Sequence, residues 1–449
     1  MEHCGNLKFH RQTMVHMMTA MQRARAAYFY LRSLRESHTF SAVAESVLAG
    51  LAGQAFLFVS GILIARLLGA DGRGHLALLS LIPALLTYMG LLGLPQSISS
   101  LLAKNRSQAI LLLHDMNRAF FMQWFLVGIV YVLVLIGYMA DKEHVLVVAG
   151  FLAATSIPGL LLLAYGLSGL QGLQMYRQFN VMRSVTPAGW AFAALILYMT
   201  GQASLPIVVG AWSAIQVVAG LLAYGAFVKH ARREASPTTT RTYSRRALMG
   251  FGLRGMIGHM APLDTFRLDQ LALGVYFPPS MLGVYVVAQA FTNLPRLVAQ
   301  SIGLVAFPAI AAGRHDHVSG AIILKYLFAL SAVILPSVGL LMIFMPVLVN
   351  LLFGPVFTDA IPIARILLIG AVFSSLRNVI AETLRGFSHP QVSTYAELSM
   401  YPVFIATGAL LVPAYNVIGM AIAVAATHLF GLVVAVFLWM RKAAVIQKS

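Results

Sequence analysis

Phe120-Phe121-Met122-Gln123-Trp124-Phe125-Leu126-Val127-Gly128-Ile129-Val130-Tyr131-Val132-Leu133-Val134-Leu135-Ile136-Gly137-Tyr138-Met139 runs without a single charge. A hydrocarbon core about 30 Å thick takes roughly 20 apolar residues to cross. In lipid each backbone N–H and C=O must be satisfied within its own segment, so this stretch is read as a membrane-spanning α-helix. Arg118 stands before it, Asp141-Lys142-Glu143 close it, and another apolar run starts at residue 144. The alternation of apolar run and short polar turn continues from about Ser41 to Met440. Residues of the apolar set make up 59% of the chain and charged residues only 10%, too few to clothe a water-facing surface. The expected fold class is an all-α polytopic membrane protein.

About twelve spans are expected, near 42–66, 76–103, 118–139, 144–167, 184–200, 205–228, 248–276, 281–311, 320–344, 361–385, 392–413 and 416–440. A net charge of +17 would suit nucleic acid, but the basic residues sit on loops beside spans, where they first set topology. Outside the spans, Arg66, Arg73 and Lys142 fall on one side. The other side collects Lys8, Arg11, Arg23, Arg25, Arg32 and Arg35, the linker set from Lys229 to Arg246, and Arg441, Lys442 and Lys448, among others. Both termini are therefore expected in the cytoplasm, with no nucleic-acid partner. Residues 1–40 lack the apolar core of a secretory signal. Met14–Leu34 reads either as a basic amphipathic helix on the membrane surface or as the product of a start upstream of Met14, Met17, Met18 or Met21. Cys4, the only cysteine, leaves no intrachain disulfide and no cysteine-based metal site.

The polar stretch 229–246 divides the chain into two six-span bundles, 41–228 and 247–440, between a basic segment 1–40 and a tail 441–449. The halves echo each other. Span one leaves through Leu67-Leu68-Gly69-Ala70-Asp71-Gly72-Arg73-Gly74, and span seven through Gly274-Val275-Tyr276-Phe277-Pro278-Pro279-Ser280 into Gly283. The following spans carry Pro83 and Pro95, and Pro295 and Pro308, at similar spacing. Six is even, so the halves share an orientation and should pair about an axis along the membrane normal, facing a central cavity.

Gly250-Phe251-Gly252-Leu253-Arg254-Gly255 matches the glycine pattern of dinucleotide sites, but it follows a basic linker and lies in an apolar helix. With Gly258 and Pro262 it is read as a source of pliability in span seven. The histidines are scattered and form no spaced metal set, and neither a phosphate loop nor a bound cofactor is expected. Ionisable residues at membrane depth are costly and so mark function. Arg267, Arg296, Arg377 and Arg254, with Arg66 at the far interface, form a candidate cationic surface, since guanidinium grips phosphate oxygens in a bidentate fork. The bland alternatives are pairing of Asp264 with Arg267 and of Glu382 with Arg385 along one helix, and snorkelling of Arg66 and Arg365. Asp269 and Glu397, if desolvated, are candidates for proton or sodium coupling.

Ser60-Gly61-Ile62-Leu63-Ile64-Ala65-Arg66-Leu67-Leu68-Gly69-Ala70-Asp71-Gly72-Arg73-Gly74 resembles the first-span exit of the polysaccharide-transporter branch of the multidrug/oligosaccharidyl-lipid/polysaccharide exporter superfamily. Arg267-Leu268-Asp269-Gln270-Leu271-Ala272-Leu273-Gly274, with Gly283-Val284-Tyr285, resembles that branch's seventh-span signature. Leu76 departs from it where the second half has Tyr285, and the long basic N-terminus is not a family feature. The resemblance implies a Wzx-type flippase of the bacterial inner membrane, not an enzyme. It would move undecaprenyl-pyrophosphate-linked oligosaccharide to the periplasmic leaflet for O-antigen, capsule or exopolysaccharide assembly. Its implied partners are the anionic lipid-linked glycan, the bilayer, and polysaccharide polymerases or ligases. The first rival is a cation-coupled multidrug or small-solute exporter of the same superfamily, which would favour cavity acids. A glycan polymerase or ligase is the second, but it would need a large outward loop. A structural scaffold is the third.

Overall fold

The computed structural model describes residues 38–139, 143–234, 241–257, 260–312, 320–387 and 391–446. Residues 1–37 of the expected N-terminal segment, 235–240 of the linker, and 447–449 lie outside them. The chain divides into two compact units, Met1–Ala49 and Gly50–Ser449. The first is helical over residues 38–49, and the second holds the rest of the fold. Among the described residues every regular element is helical.

The helices of the first half are α1 (His38–Gly90), α2 (Leu94–Lys104), α3 (Ala109–Met139), α4 (His144–Ala154), α5 (Ser156–Gly172), α6 (Tyr176–Thr200) and α7 (Leu205–Arg233). Those of the second are α8 (Arg245–Ile257), α9 (Leu268–Tyr276), α10 (Pro279–Ala290), α11 (Asn293–Ala312), α12 (Gly320–Leu352), α13 (Ala360–Gly386) and α14 (Gln391–Ile446). Eight helical stretches among the described residues are long and apolar enough to cross a membrane. Two of these, of 46 and 51 residues, are long enough for two passes each. Each is interrupted once by a positive-φ residue, Gly69 (φ 66°) in α1 and Asn416 (φ 51°) in α14. The polar turns expected at Gly69–Gly74 and Pro413–Asn416 thus shrink to sharp kinks, at the residue types that enter that region most readily.

Spans seven and eight are not the continuous helices expected. Span seven breaks between α8 and α9, with Met260–Arg267 outside helix, and span eight breaks at Phe291-Thr292. Pro262 cannot donate to a helical ladder, and its carbonyl accepts from the Leu268 amide at 3.1 Å instead. Broken helices at membrane depth are tolerated where other protein groups satisfy the freed backbone.

One apolar core gathers Leu102, Leu112, Leu161, Tyr165, Val208 and Phe227 from the first half. A second gathers Leu273, Tyr285, Leu330, Met345, Leu368 and Met420 from the other, joined by Ala65, Ala77 and Leu78 of α1. The halves meet at two glycine contacts. A Cβ on Gly74 would lie 1.7 Å from the Pro279 carbonyl oxygen, and one on Gly283 would lie 1.9 Å from that of Ala70. Each would also stand 3.1 Å from the other glycine's amide nitrogen. Such reciprocity is what a twofold relation between repeats produces.

Elsewhere, a Cβ on Gly93 would lie 1.9 Å from the Gly252 carbonyl oxygen, and Ser97 Oγ donates to the Leu248 carbonyl at 2.7 Å. Gly252 of the dinucleotide-like stretch therefore serves the approach of α8 to α2. These contacts, with Arg66 reaching the end of α12, put segments expected at the same face of the membrane beside one another. They fit twelve alternating passes.

Candidate functional site

The break in span seven sets the site. Thr265 and Phe266 both donate backbone N–H groups to the Ala261 carbonyl, forming a tight turn that carries Asp264. Asp264 does not pair with Arg267 along one helix. It receives Arg296 of α11 and Arg377 of α13, each at 3.1 Å. Arg377 also donates to Glu397 of α14 and approaches Met400 Sδ at 3.3 Å. The side chain of Arg377 is 2% exposed, against 16% for Arg296 and 30% for Asp264. Arg377 is thus the closed inner end of a chain of ion pairs, and Asp264 and Arg296 are its accessible end.

A second acid lies nearby on α9. Asp269 is buried in the first turn of that helix, where the peptide dipoles favour negative charge. Its Oδ2 accepts from Tyr285 Oη at 2.6 Å and from Gln289 Nε2 at 3.2 Å, both on α10. The Gln270 and Gln289 side-chain amides are also hydrogen-bonded. Asp269 Oδ1 is buried without a hydrogen-bond partner among the described residues. Between the two acids, Arg267 holds a left-handed backbone (φ 49°, ψ 44°) at the start of α9. That region is uncommon for a non-glycine residue and costs free energy unless its surroundings enforce it. Its charge faces Asp264, Asp269 and Arg296, yet among the described residues it makes no close ion pair.

His428, on the last pass of α14, completes the cluster. It is 1% exposed and neither ring nitrogen has a hydrogen-bond partner among the described residues. The charged groups that act on it are Asp264, Arg377 and Arg296.

The structure therefore gathers Arg267, Arg296 and Arg377 with Asp269 and Glu397, as well as Asp264 and His428. It places the other two candidate arginines elsewhere. Arg66 donates Nε to the Leu352 carbonyl at 2.7 Å and an Nη to that of Leu351. It caps the end of α12, whose last carbonyls have no helical partner. Arg254 is exposed and donates to the Gly250 carbonyl of its own helix at 3.1 Å. Glu382 and Arg385 pair at 3.0 Å. The arginine surplus expected in this region is matched by acids at the cluster itself. His428 carried a signal in the sequence, an ionisable side chain inside an apolar run, which the scatter of the other histidines obscured.

A helical membrane protein whose second half buries a mixed-charge cluster around a broken span has the architecture of a transporter fold. Comparison with known proteins gives it a family. The family model described as "Polysaccharide biosynthesis protein" matches residues 63–362, and the chain belongs to that family. An uncharacterized membrane protein of Methanocaldococcus jannaschii is 30% identical over 195 residues, 41% of this chain and 37% of that protein; the chain thus matches well under half the length of this curated relative.

Among solved structures, an inward-facing multidrug resistance MATE family transporter of the MOP superfamily has a TM-score of 0.69 at 15% identity. That alignment covers 88% of this chain and 96% of the other. The lipid II flippase MurJ in an inward closed conformation gives 0.62 at 13% identity, over 89% and 90%. A MOP superfamily transporter from Pyrococcus furiosus, described as having a binding pocket of reversed polarity, gives 0.63 at 16% identity, over 91% and 96%. At these identities the likeness is one of fold.

Proposed function

We propose that this protein is a flippase that carries a lipid-linked, anionic oligosaccharide from the cytoplasmic to the outer leaflet of the cell membrane by alternating access, for polysaccharide assembly. The observation that carries the proposal is Arg267: a partly buried guanidinium, held at a helix break and free of a close ion pair among the described residues, in a chain of a polysaccharide biosynthesis family. The fold shared with MOP superfamily transporters, the lipid II flippase among them, supports transport as the activity.

A pyrophosphate crossing roughly 30 Å of hydrocarbon needs its hydration replaced. Arg267 supplies donors without giving up an existing partner. Arg296 supplies more by exchanging the Asp264 carboxylate for a phosphate oxygen, while Arg377 holds Asp264 in place. The prenyl tail stays in lipid. Asp269, Glu397 and His428 are the groups placed to exchange a proton or pair with sodium as the halves move. The two bundles, 41–228 and 247–440 around the linker 229–246, rock about the glycine contacts, with both termini cytoplasmic as the basic loops indicate. Polymerases or ligases of polysaccharide assembly are the partners such a carrier would serve.

The balance of three acids with three arginines favours one other reading, a cation-coupled exporter of drugs or small solutes. The leaflet distribution of lipid-linked glycan separates the two. In cells lacking the protein, glycan is expected to accumulate on the cytoplasmic leaflet, relieved by the wild type and not by an equally expressed Arg267→Ala variant. An unchanged distribution in cells without a redundant flippase sinks the flippase reading and favours the exporter.

A further inference from the structure

Outside the charge cluster, a cavity of about 210 Å³ opens between α2, α3 and α8. Its walls are apolar: Leu92, Ile98, Met116, Ala119, Met122 and Met249. Its rim carries Asp115, Arg118 and Arg245. Asp115 is fully engaged: Arg245 reaches it at 2.6 Å, Arg241 at 3.1 Å, and Tyr243 Oη donates to it at 2.8 Å. Tyr243 remains a donor, because burial and the Asp115 carboxylate both push its hydroxyl pKa up. Arg118 is exposed and has no ion pair among the described residues. One acid against Arg118, Arg241 and Arg245 leaves the rim net positive.

We infer that this cavity is a binding site for an anionic glycerophospholipid of the cytoplasmic leaflet. One acyl chain lies among Leu92, Ile98, Met116 and Met249, and the phosphate sits between Arg118 and Arg245. Three observations select this occupant. The rim lies at the end where the linker returns to the membrane, which the basic loops assign to the cytoplasm. Basic pockets between spans on that face suit anionic head groups. The cavity is too small for a whole lipid but takes a stretch of one slender chain, and Met122 and Leu92 are already exposed at its mouth. The chain's own N-terminal segment, rich in Lys and Arg, would meet a rim of its own sign. Because α2 and α3 come from the first half and α8 from the second, the lipid bridges the halves beside the Gly93–Gly252 contact. The inference stands whatever cargo the protein carries.

The test is native mass spectrometry of the purified full-length protein with phosphatidylglycerol and phosphatidylcholine of identical acyl chains. Phosphatidylglycerol should be retained about fivefold better, the factor that about 1 kcal/mol of attraction between one arginine and a net anionic head group gives, because the choline cation cancels the phosphate charge in phosphatidylcholine. Arg118→Gln, which touches no ion pair, should abolish that preference, and Ala119→Trp, which fills the cavity, should remove the bound lipid. Equal retention of the two lipids overturns the site, as does a preference that survives Arg118→Gln. Displacement of phosphatidylglycerol by an equimolar prenyl phosphate overturns the glycerophospholipid as occupant.

Discussion

Arg377 shows how much a single side chain can do when its charge cannot reach water. With its side chain 2% exposed, it links Asp264 on the broken seventh span to Glu397 on the eleventh. Removing it takes from Asp264 and Glu397 the arginine they share, and breaking a buried pair costs about 3–5 kcal/mol. Arg377→Ala should therefore lower the thermal unfolding midpoint by many degrees in detergent. Adding Asp264→Ala and Glu397→Ala should restore part of the loss, since the uncompensated charges go with them. A midpoint unchanged in Arg377→Ala would mean that the network does not hold the second half together. Arg66 makes the opposite case. It sits on the ends of carbonyl groups rather than on an anion, so Arg66→Ala should reduce stability by about 1 kcal/mol and leave cargo movement within a factor of about three. A transport loss equal to that of Arg267→Ala would return Arg66 to the binding surface.

Among the elements, the two kinked double helices and the two broken spans follow different physics. Gly69 and Asn416 let the chain reverse direction at the membrane surface with almost no loop, and there the residue types are sufficient explanation. The breaks in spans seven and eight lie deeper and are held by partners from other helices. The turn of α1 and the start of α10 meet through backbone alone, with Gly74 and Gly283 each lying where a side chain would overlap the other strand of the contact. Gly283→Ala, whose Cβ would fall 1.9 Å from the Ala70 carbonyl oxygen, should push these turns apart. The variant's thermal unfolding midpoint in detergent should fall several degrees below the parent's. An unchanged midpoint would show that the contact has slack the geometry does not reveal.

For the whole molecule, the alternation of twelve passes makes a prediction that single residues cannot. Asp71 belongs to the turn between the first two spans, and Thr242 to the linker between the halves. With Cys4 replaced by Ser, a cysteine at position 71 should react with an impermeant maleimide on intact cells. One at position 242 should react only after permeabilisation. The reverse pattern would invert the protein in its membrane and place the lipid cavity in the outer leaflet.

The sequence by itself determined that this chain is helical and crosses a membrane many times, because the rule that no backbone polar group goes unsatisfied in lipid acts locally, on every 20-residue window. The echo between the two halves and the bias of Lys and Arg toward alternate loops are likewise properties of linear order. Arginines at membrane depth were legible for the same reason. Their partners were not, since Asp264 and Arg377 lie more than a hundred residues apart and nothing in sequence spacing brings them together. Only the tertiary structure decided that Arg66 caps a helix, that Gly252 serves packing, that His428 belongs with Asp264, and that Arg267 is left without a close ion pair among the described residues. Charge at depth has to be balanced by whatever the fold brings near it, and that is settled by packing rather than by chain order.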